Sequence, residues 1–197
     1  MNLPNRLTVM RIIMTPLFMA AMMIEFPHHY LVGLVLFIVA SLTDMLDGKI
    51  ARARNLVTNF GKFLDPLADK MLTTSAFIAF LAKGFGFGME WVLFIVLFRE
   101  FMIASLRLVA VSSEVKKVIP ANMWGKVKTV TQMAAIILGI AVMYYDQSVA
   151  KAIAAPETVS TVLGIAFNVV LWVSTVVAVI SGAIYMKDSF EFIDPSK

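Results

Sequence analysis

The chain has 197 residues, of which 60% are hydrophobic and 15% charged, with a mean hydropathy of +0.85. A soluble domain is roughly half apolar and a quarter charged, so an ordinary soluble fold is excluded, and the lack of cysteine removes disulfides and thiolate metal sites. The net charge of +4 says little until its placement along the chain is read.

The apolar residues fall in long blocks, and crossing about 30 Å of hydrocarbon takes roughly 20 of them as helix. Six spans are expected, at 8–26, 29–50, 58–82, 89–112, 124–146 and 157–186. The fold class is therefore an all-α integral membrane protein, with residues 1–197 forming a single domain. The opening MNLPNRLTVMRIIMTP lacks a small-residue cleavage site, and Pro4, Arg6 and Arg11 interrupt its apolar pattern, unlike a secretory signal. Asn5–Thr15 reads as an amphipathic stretch at the membrane surface that leads into the first span. Pro16 favours a bend at that junction. Two readings stand for its polar side chains. Either Asn5, Thr8 and Arg11 hold a diphosphate, or Asn5 caps the helix and Arg11 anchors it at the interface.

His28 and His29, on the side of the membrane away from the aspartates, read as interfacial residues. The second and third spans enclose DMLDGKIARARNLVTNFGKFLDPLADK, which holds four of the chain's seven aspartates. Asp44 and Asp47 are three apart, and Asp65 and Asp69 four apart, so each pair shares one helix face. The short connection Arg54–Thr58 implies an antiparallel hairpin that gathers the four carboxylates in one cavity. Unneutralised, they repel one another. With no histidine or cysteine nearby the donors are all oxygen, which selects a hard cation such as Mg²⁺ or Mn²⁺ over zinc. Gly48 and Ala51 leave room beside Asp47 for a flat group, Gly61 extends that open surface on the facing helix, and Arg52 offers planar donors suited to phosphate. Pro66 either starts the buried part of the third span or bends it.

Gly84, Gly86 and Gly88 form a turn rather than a phosphate loop, since no strand precedes them. In the fourth span Arg99 and Arg107 are eight apart and share a face, and Lys126 and Lys128 open the fifth. Intramembrane cations face a cavity or a partner. Arg107 and Lys126, then Arg99, then Lys128 are therefore candidates for an anionic ligand, with pairing to the Glu100 neighbourhood or snorkelling as the competing reading for Arg99. Lys116 and Lys117 read as sensors of anionic lipid. The methionines are lipid-facing or packing residues.

Lysine and arginine collect on one side: Arg6 and Arg11, then Lys49, Arg52, Arg54 and Lys62, then Arg107, Lys116, Lys117, Lys126 and Lys128, then Lys187. The other side carries only Lys83 and Lys151 between spans. The positive-inside rule then puts both termini and the aspartates on the cytoplasmic side. The expected topology is multi-pass, N-in and C-in.

The pattern D-x2-D-G-x2-A-R-x8-G-x3-D-x3-D, here Asp44, Asp47, Gly48, Ala51, Arg52, Gly61, Asp65 and Asp69, resembles the signature of the CDP-alcohol phosphatidyltransferase family. All its fixed positions match. The resemblance implies a six-span fold in which CDP-diacylglycerol binds with its diphosphate on two metal ions. An acceptor alcohol attacks the lipid-side phosphorus and CMP leaves. Carried over, Asp44, Asp47 and Asp65 hold one ion and Asp44, Asp65 and Asp69 the second. Asp69 is also the general base, and Gly48, Ala51, Arg52 and Gly61 line the CDP site. The segments NLPNRLTVMRI, LVTNFGKFLDPLADK, REFMIASLR and ANMWGKVKT are similar to the branch whose acceptor is sn-glycerol 3-phosphate, and the cations Arg107, Lys126, Arg99 and Lys128 suit that phosphate. Arg54 stands where that branch often has lysine. The resemblance also implies a homodimer in the inner (cytoplasmic) membrane of a bacterium; a nucleic-acid partner is not expected. Alternatives are the same chemistry on phosphatidylglycerol or inositol phosphate, or a divalent-cation transporter. A transporter needs ionisable residues near the midplane, whereas here the acids crowd one face.

Overall fold

The computed structural model describes residues 2–53, 58–112 and 123–189; the side chains of 45–53, 59, 62 and 110–112 are not included. The described residues form an all-helical bundle: α1 (Leu3–Met23), α2 (His29–Ala53), α3 (Asn59–Ala82), α4 (Met89–Ser112), α5 (Met123–Tyr144) and α6 (Glu157–Asp188). A π-helical turn, Tyr145–Val149, and a last short piece, Ala150–Ala152, extend α5. Three helices are long and apolar enough to cross a membrane, namely Leu3–Met23, Met123–Ala152 and Glu157–Asp188. The other three begin and end close to the expected spans but carry the charges of the site.

α1 begins with Asn2, whose side chain accepts from the Asn5 amide at 3.1 Å, and Pro4 occupies its first turn, where the missing N–H costs nothing. The cap is thus Asn2 rather than Asn5. The helix runs without interruption through Pro16, as α3 does through Pro66. Its polar side is the buried one: Asn5, Thr8, Arg11 and Thr15 are 6%, 1%, 0% and 2% exposed. Spaced three or four apart, they make one helical stripe, and that stripe turns into the protein. Arg11 is therefore no interfacial anchor.

α1 packs against both α2 and α3, α5 against α6 and α2, and α4 against α6 and α3. α2 and α3 touch each other less than each touches α1. The expected hairpin of α2 and α3 is therefore joined through α1.

The far end, where α3 turns into α4, is held by aromatic packing. Phe80 meets Phe167 edge-on with centroids 5.5 Å apart, and Phe85 stacks on Phe167 at 4.6 Å. The turn takes left-handed angles at Gly84, Gly86 and Gly88 (φ +62°, +102° and +64°), as expected for a turn and costly for other residues. His29 is buried rather than interfacial, and its Nδ1 donates to the Ala21 carbonyl at 3.0 Å. Gly139 lets α5 approach these rings: a Cβ there would stand 2.6 Å from Phe167 and 2.7 Å from Phe80. Both rings are fully buried, so Gly139→Ala is expected to destabilise the bundle by about 1–3 kcal/mol, the usual cost of overpacking. Thermal unfolding in detergent measures this, and an unchanged midpoint would contradict such tight packing.

Candidate active site

The C-terminal ends of α2, α4 and α6 and the N-terminal ends of α1, α3 and α5 meet at one end of the bundle. Contacts between them fix this arrangement. The Arg11 guanidinium on α1 lies 2.6 Å from the Asp44 carboxylate on α2. The Thr8 hydroxyl, one turn earlier, donates to Asp65 of α3 at 2.6 Å. A turn earlier again, Thr58 donates to the Asn5 side-chain oxygen at 3.0 Å and accepts from the Gly61 amide at 3.0 Å, capping α3. One polar stripe thus holds an aspartate of each neighbouring helix. The space beside Gly61, expected to be open, is filled by α1: a Cβ there would stand 3.0 Å from the Asn5 oxygen.

Asp44, Asp65 and Asp69 face a common cavity of about 600 Å³. Arg99, Glu100, Arg107, Lys126 and Lys128 line the same space, so the structure brings the described acids and all four candidate cations together. Asp47, Gly48, Ala51 and Arg52 lie on the last turns of α2, and their side chains fall outside the described set. Arg54, Lys116 and Lys117 lie outside the described residues altogether.

The cations are not equivalent. Lys128 Nζ and Arg99 Nη1 both donate to the same oxygen of Glu100, each at 2.7 Å, and Lys70 Nζ is 3.8 Å from its other oxygen. Arg99 Nη2 donates to Ser181 of α6 at 2.8 Å. Arg107 instead donates through Nε to the Tyr185 hydroxyl at 3.2 Å, its guanidinium 5.6 Å from that ring's centre, within cation–π range. Arg99 is thus paired with Glu100, its competing reading from sequence. Glu100 entered the sequence reading only as a competing partner of Arg99 and Lys70 not at all, although an acid flanked by an intramembrane arginine is a usable signal.

The donor set suits a hard divalent cation, being carboxylate oxygens on facing helices without nitrogen or sulfur. Asp44 and Asp65 each have one oxygen held by an α1 side chain, an arrangement that orients ligands in metal sites. Among the described residues no three acidic or histidine side chains already converge on one point. Asp47 belongs to the expected set, and its side chain is not among those described.

A family model for CDP-alcohol phosphatidyltransferase matches residues 1–181, and the chain belongs to that family. Among its relatives is a Bacillus subtilis protein named CDP-diacylglycerol–glycerol-3-phosphate 3-phosphatidyltransferase, 36% identical, the match covering 99% of this chain and 98% of the relative. A Rickettsia bellii protein of the same name is 34% identical, with 94% of each chain covered. A Mycobacterium tuberculosis protein named probable phosphatidylglycerophosphate synthase is 39% identical over 68% of this chain and 64% of its own.

Proposed function

We propose that the protein transfers the phosphatidyl group of CDP-diacylglycerol to sn-glycerol 3-phosphate, giving phosphatidylglycerophosphate and CMP. The observation that carries this reading is the single cavity shared by Asp44, Asp65 and Asp69 with Arg107 and Lys126, in a chain whose relatives are named for that reaction. The carboxylates supply oxygen donors for the ions that a diphosphate needs, and the cations supply counter-charge for the phosphate of the acceptor. Asp69 takes the proton of the acceptor hydroxyl as its oxygen bonds to the lipid-side phosphorus. The bond from that phosphorus to the CMP oxygen breaks, and CMP departs. Bound Mg²⁺ or Mn²⁺, two ions held by Asp44, Asp47, Asp65 and Asp69, would neutralise the charge of the diphosphate. Gly48, Ala51 and Arg52 line the CDP side, while Gly61 lets α1 pack against α3. Holding the hydroxyl against the phosphorus accounts for much of the acceleration such sites achieve.

All six helices span the membrane in this reading, with the site and both termini on the cytoplasmic side. The lysine and arginine bias supports that orientation. The enzyme works as a homodimer in the inner membrane, as the family resemblance implies.

The test is CMP release by purified protein with CDP-diacylglycerol and Mg²⁺, offered glycerol 3-phosphate, inositol, inositol phosphate, serine or phosphatidylglycerol. Release with glycerol 3-phosphate alone, lost on chelation, is expected. Release with another alcohol would keep the aspartate site and overturn the assignment of the acceptor. Arg107→Ala is expected to raise the KM for glycerol 3-phosphate about 10-fold or more, the loss of one charged hydrogen bond. The KM for the lipid donor should change little, and equal changes in both would place Arg107 elsewhere.

A further inference from the structure

A site for an anionic acceptor gains from cations, yet this cavity wall also carries an acid. Glu100 receives Lys128 and Arg99 on one oxygen at 2.7 Å each and has Lys70 3.8 Å from the other. Its side chain is 18% exposed, and those of Lys128 and Arg99 are 10% and 12% exposed. Charges so placed interact several-fold more strongly than in water, and neither cation is released cheaply once its partner is buried with it. Among the described residues, no carboxylate stands within ion-pair distance of Arg107 or Lys126. Lys126 is exposed to the cavity mouth. Four cations thus fall into two pairs, one sharing the single carboxylate of Glu100 and one without an acidic partner among the described residues.

We propose that Glu100 is a specificity-determining residue: by engaging Lys128 and Arg99 it leaves Arg107 and Lys126 as the pair that receives a phosphate. This rests on the acceptor reading above and assigns its anion site to one half of the cationic wall. The reason is geometric. Arg99 and Lys128 share the cavity with Asp69, and Lys128 and Glu100 are near enough for their charges to act on that of Asp69, so a phosphate held by Lys128 would occupy the place needed by the acceptor's hydroxyl end. Arg107 is two turns further along α4, so a phosphate held there leaves the hydroxyl end free to reach the acid. Glu100 therefore acts against a wrong binding mode as well as holding side chains in place. Lys128 and Arg99 become positioning residues that tie α4 to α5 and α6.

The probe is inorganic phosphate, read in two ways on the full chain in detergent: inhibition of CMP release, and protection against thermal unfolding without either substrate. Glu100→Gln is expected to open a second anion site, so that phosphate inhibits at roughly 10-fold lower concentration, the effect of about one charge-assisted contact. Protection by phosphate should strengthen in parallel, and Glu100→Asp should stay close to wild type. A Glu100→Gln protein with wild-type phosphate sensitivity would overturn the proposal, because a purely structural acid would lower stability alone. Should that variant not fold, single changes on the cations decide. Arg107→Ala is expected to weaken phosphate protection and Lys128→Gln to leave it unchanged; equal weakening by both would overturn the partition. Protection requires no turnover, so it is separable from the acceptor assignment, which fails if the wild type releases no CMP with glycerol 3-phosphate.

Discussion

Replacing Asp69 with asparagine is expected to lower CMP release by at least ~10³-fold, at the upper part of the range for losing a general base, while the protein stays folded. The amide matches the carboxylate in shape but cannot take a proton from the acceptor and is a poor ligand for a hard cation. Asp69 lies on the cavity side of α3 and is only partly buried. No hydrogen bond of its side chain to another helix is seen among the described residues, so the fold does not lean on it. An unchanged thermal midpoint with lost turnover would show both halves of the claim. Retained turnover would move the base elsewhere, and Glu100, already occupied by two cations, would be a poor replacement.

The second large effect is expected at the other end of the site, on α1. Arg11 is fully buried and its guanidinium is 2.6 Å from Asp44. Arg11→Met keeps much of the volume but leaves Asp44 without that counter-charge. Breaking a buried pair from one side costs about 3–5 kcal/mol. The Asp44 side chain is 36% exposed, so solvent screening brings the expected loss down to about 2–3 kcal/mol. Activity should fall about 100-fold, because Asp44 is no longer held facing the cavity. Thermal unfolding in detergent and CMP release measure the two. Adding Asp44→Asn removes the stranded charge, so stability should recover while activity does not. An Arg11→Met protein as stable as wild type would mean that the pair carries little of the junction between α1 and α2.

The positions of the helices could be read from hydropathy because an apolar block of that length has few other uses in a membrane. The aspartates could be read from spacing, since Asp65 and Asp69 share a face on any straight helix. Which helix lay between them could not. Asn5, Thr8, Arg11 and Thr15 form a polar stripe, and the sequence reading set it at the membrane surface. In lipid a polar stripe has another solution, which is to face its neighbours, and contacts with Asp44, Asp65 and Thr58 show that this one is used. Lys128 was read as a cation for the acceptor, and Arg99 as that or as a partner of the Glu100 neighbourhood; the acid that engages both lies on α4 itself. Nothing in spacing alone decides whether Glu100 turns toward the cavity, lipid or α5; that depends on how α4, α5 and α6 dock.

The placement of α1 between α2 and α3 also bears on how the chain is made. Arg11 is synthesised well before Asp44, and Thr8 meets Asp65 from 57 residues further along. The first helix therefore enters the bilayer carrying a cation whose counter-charge does not yet exist. It cannot reach its final seat until two more helices have emerged and closed around it. The seat of α1 is thus defined only with α2 and α3 in place, and the same contacts hold Asp44 and Asp65 of the candidate site.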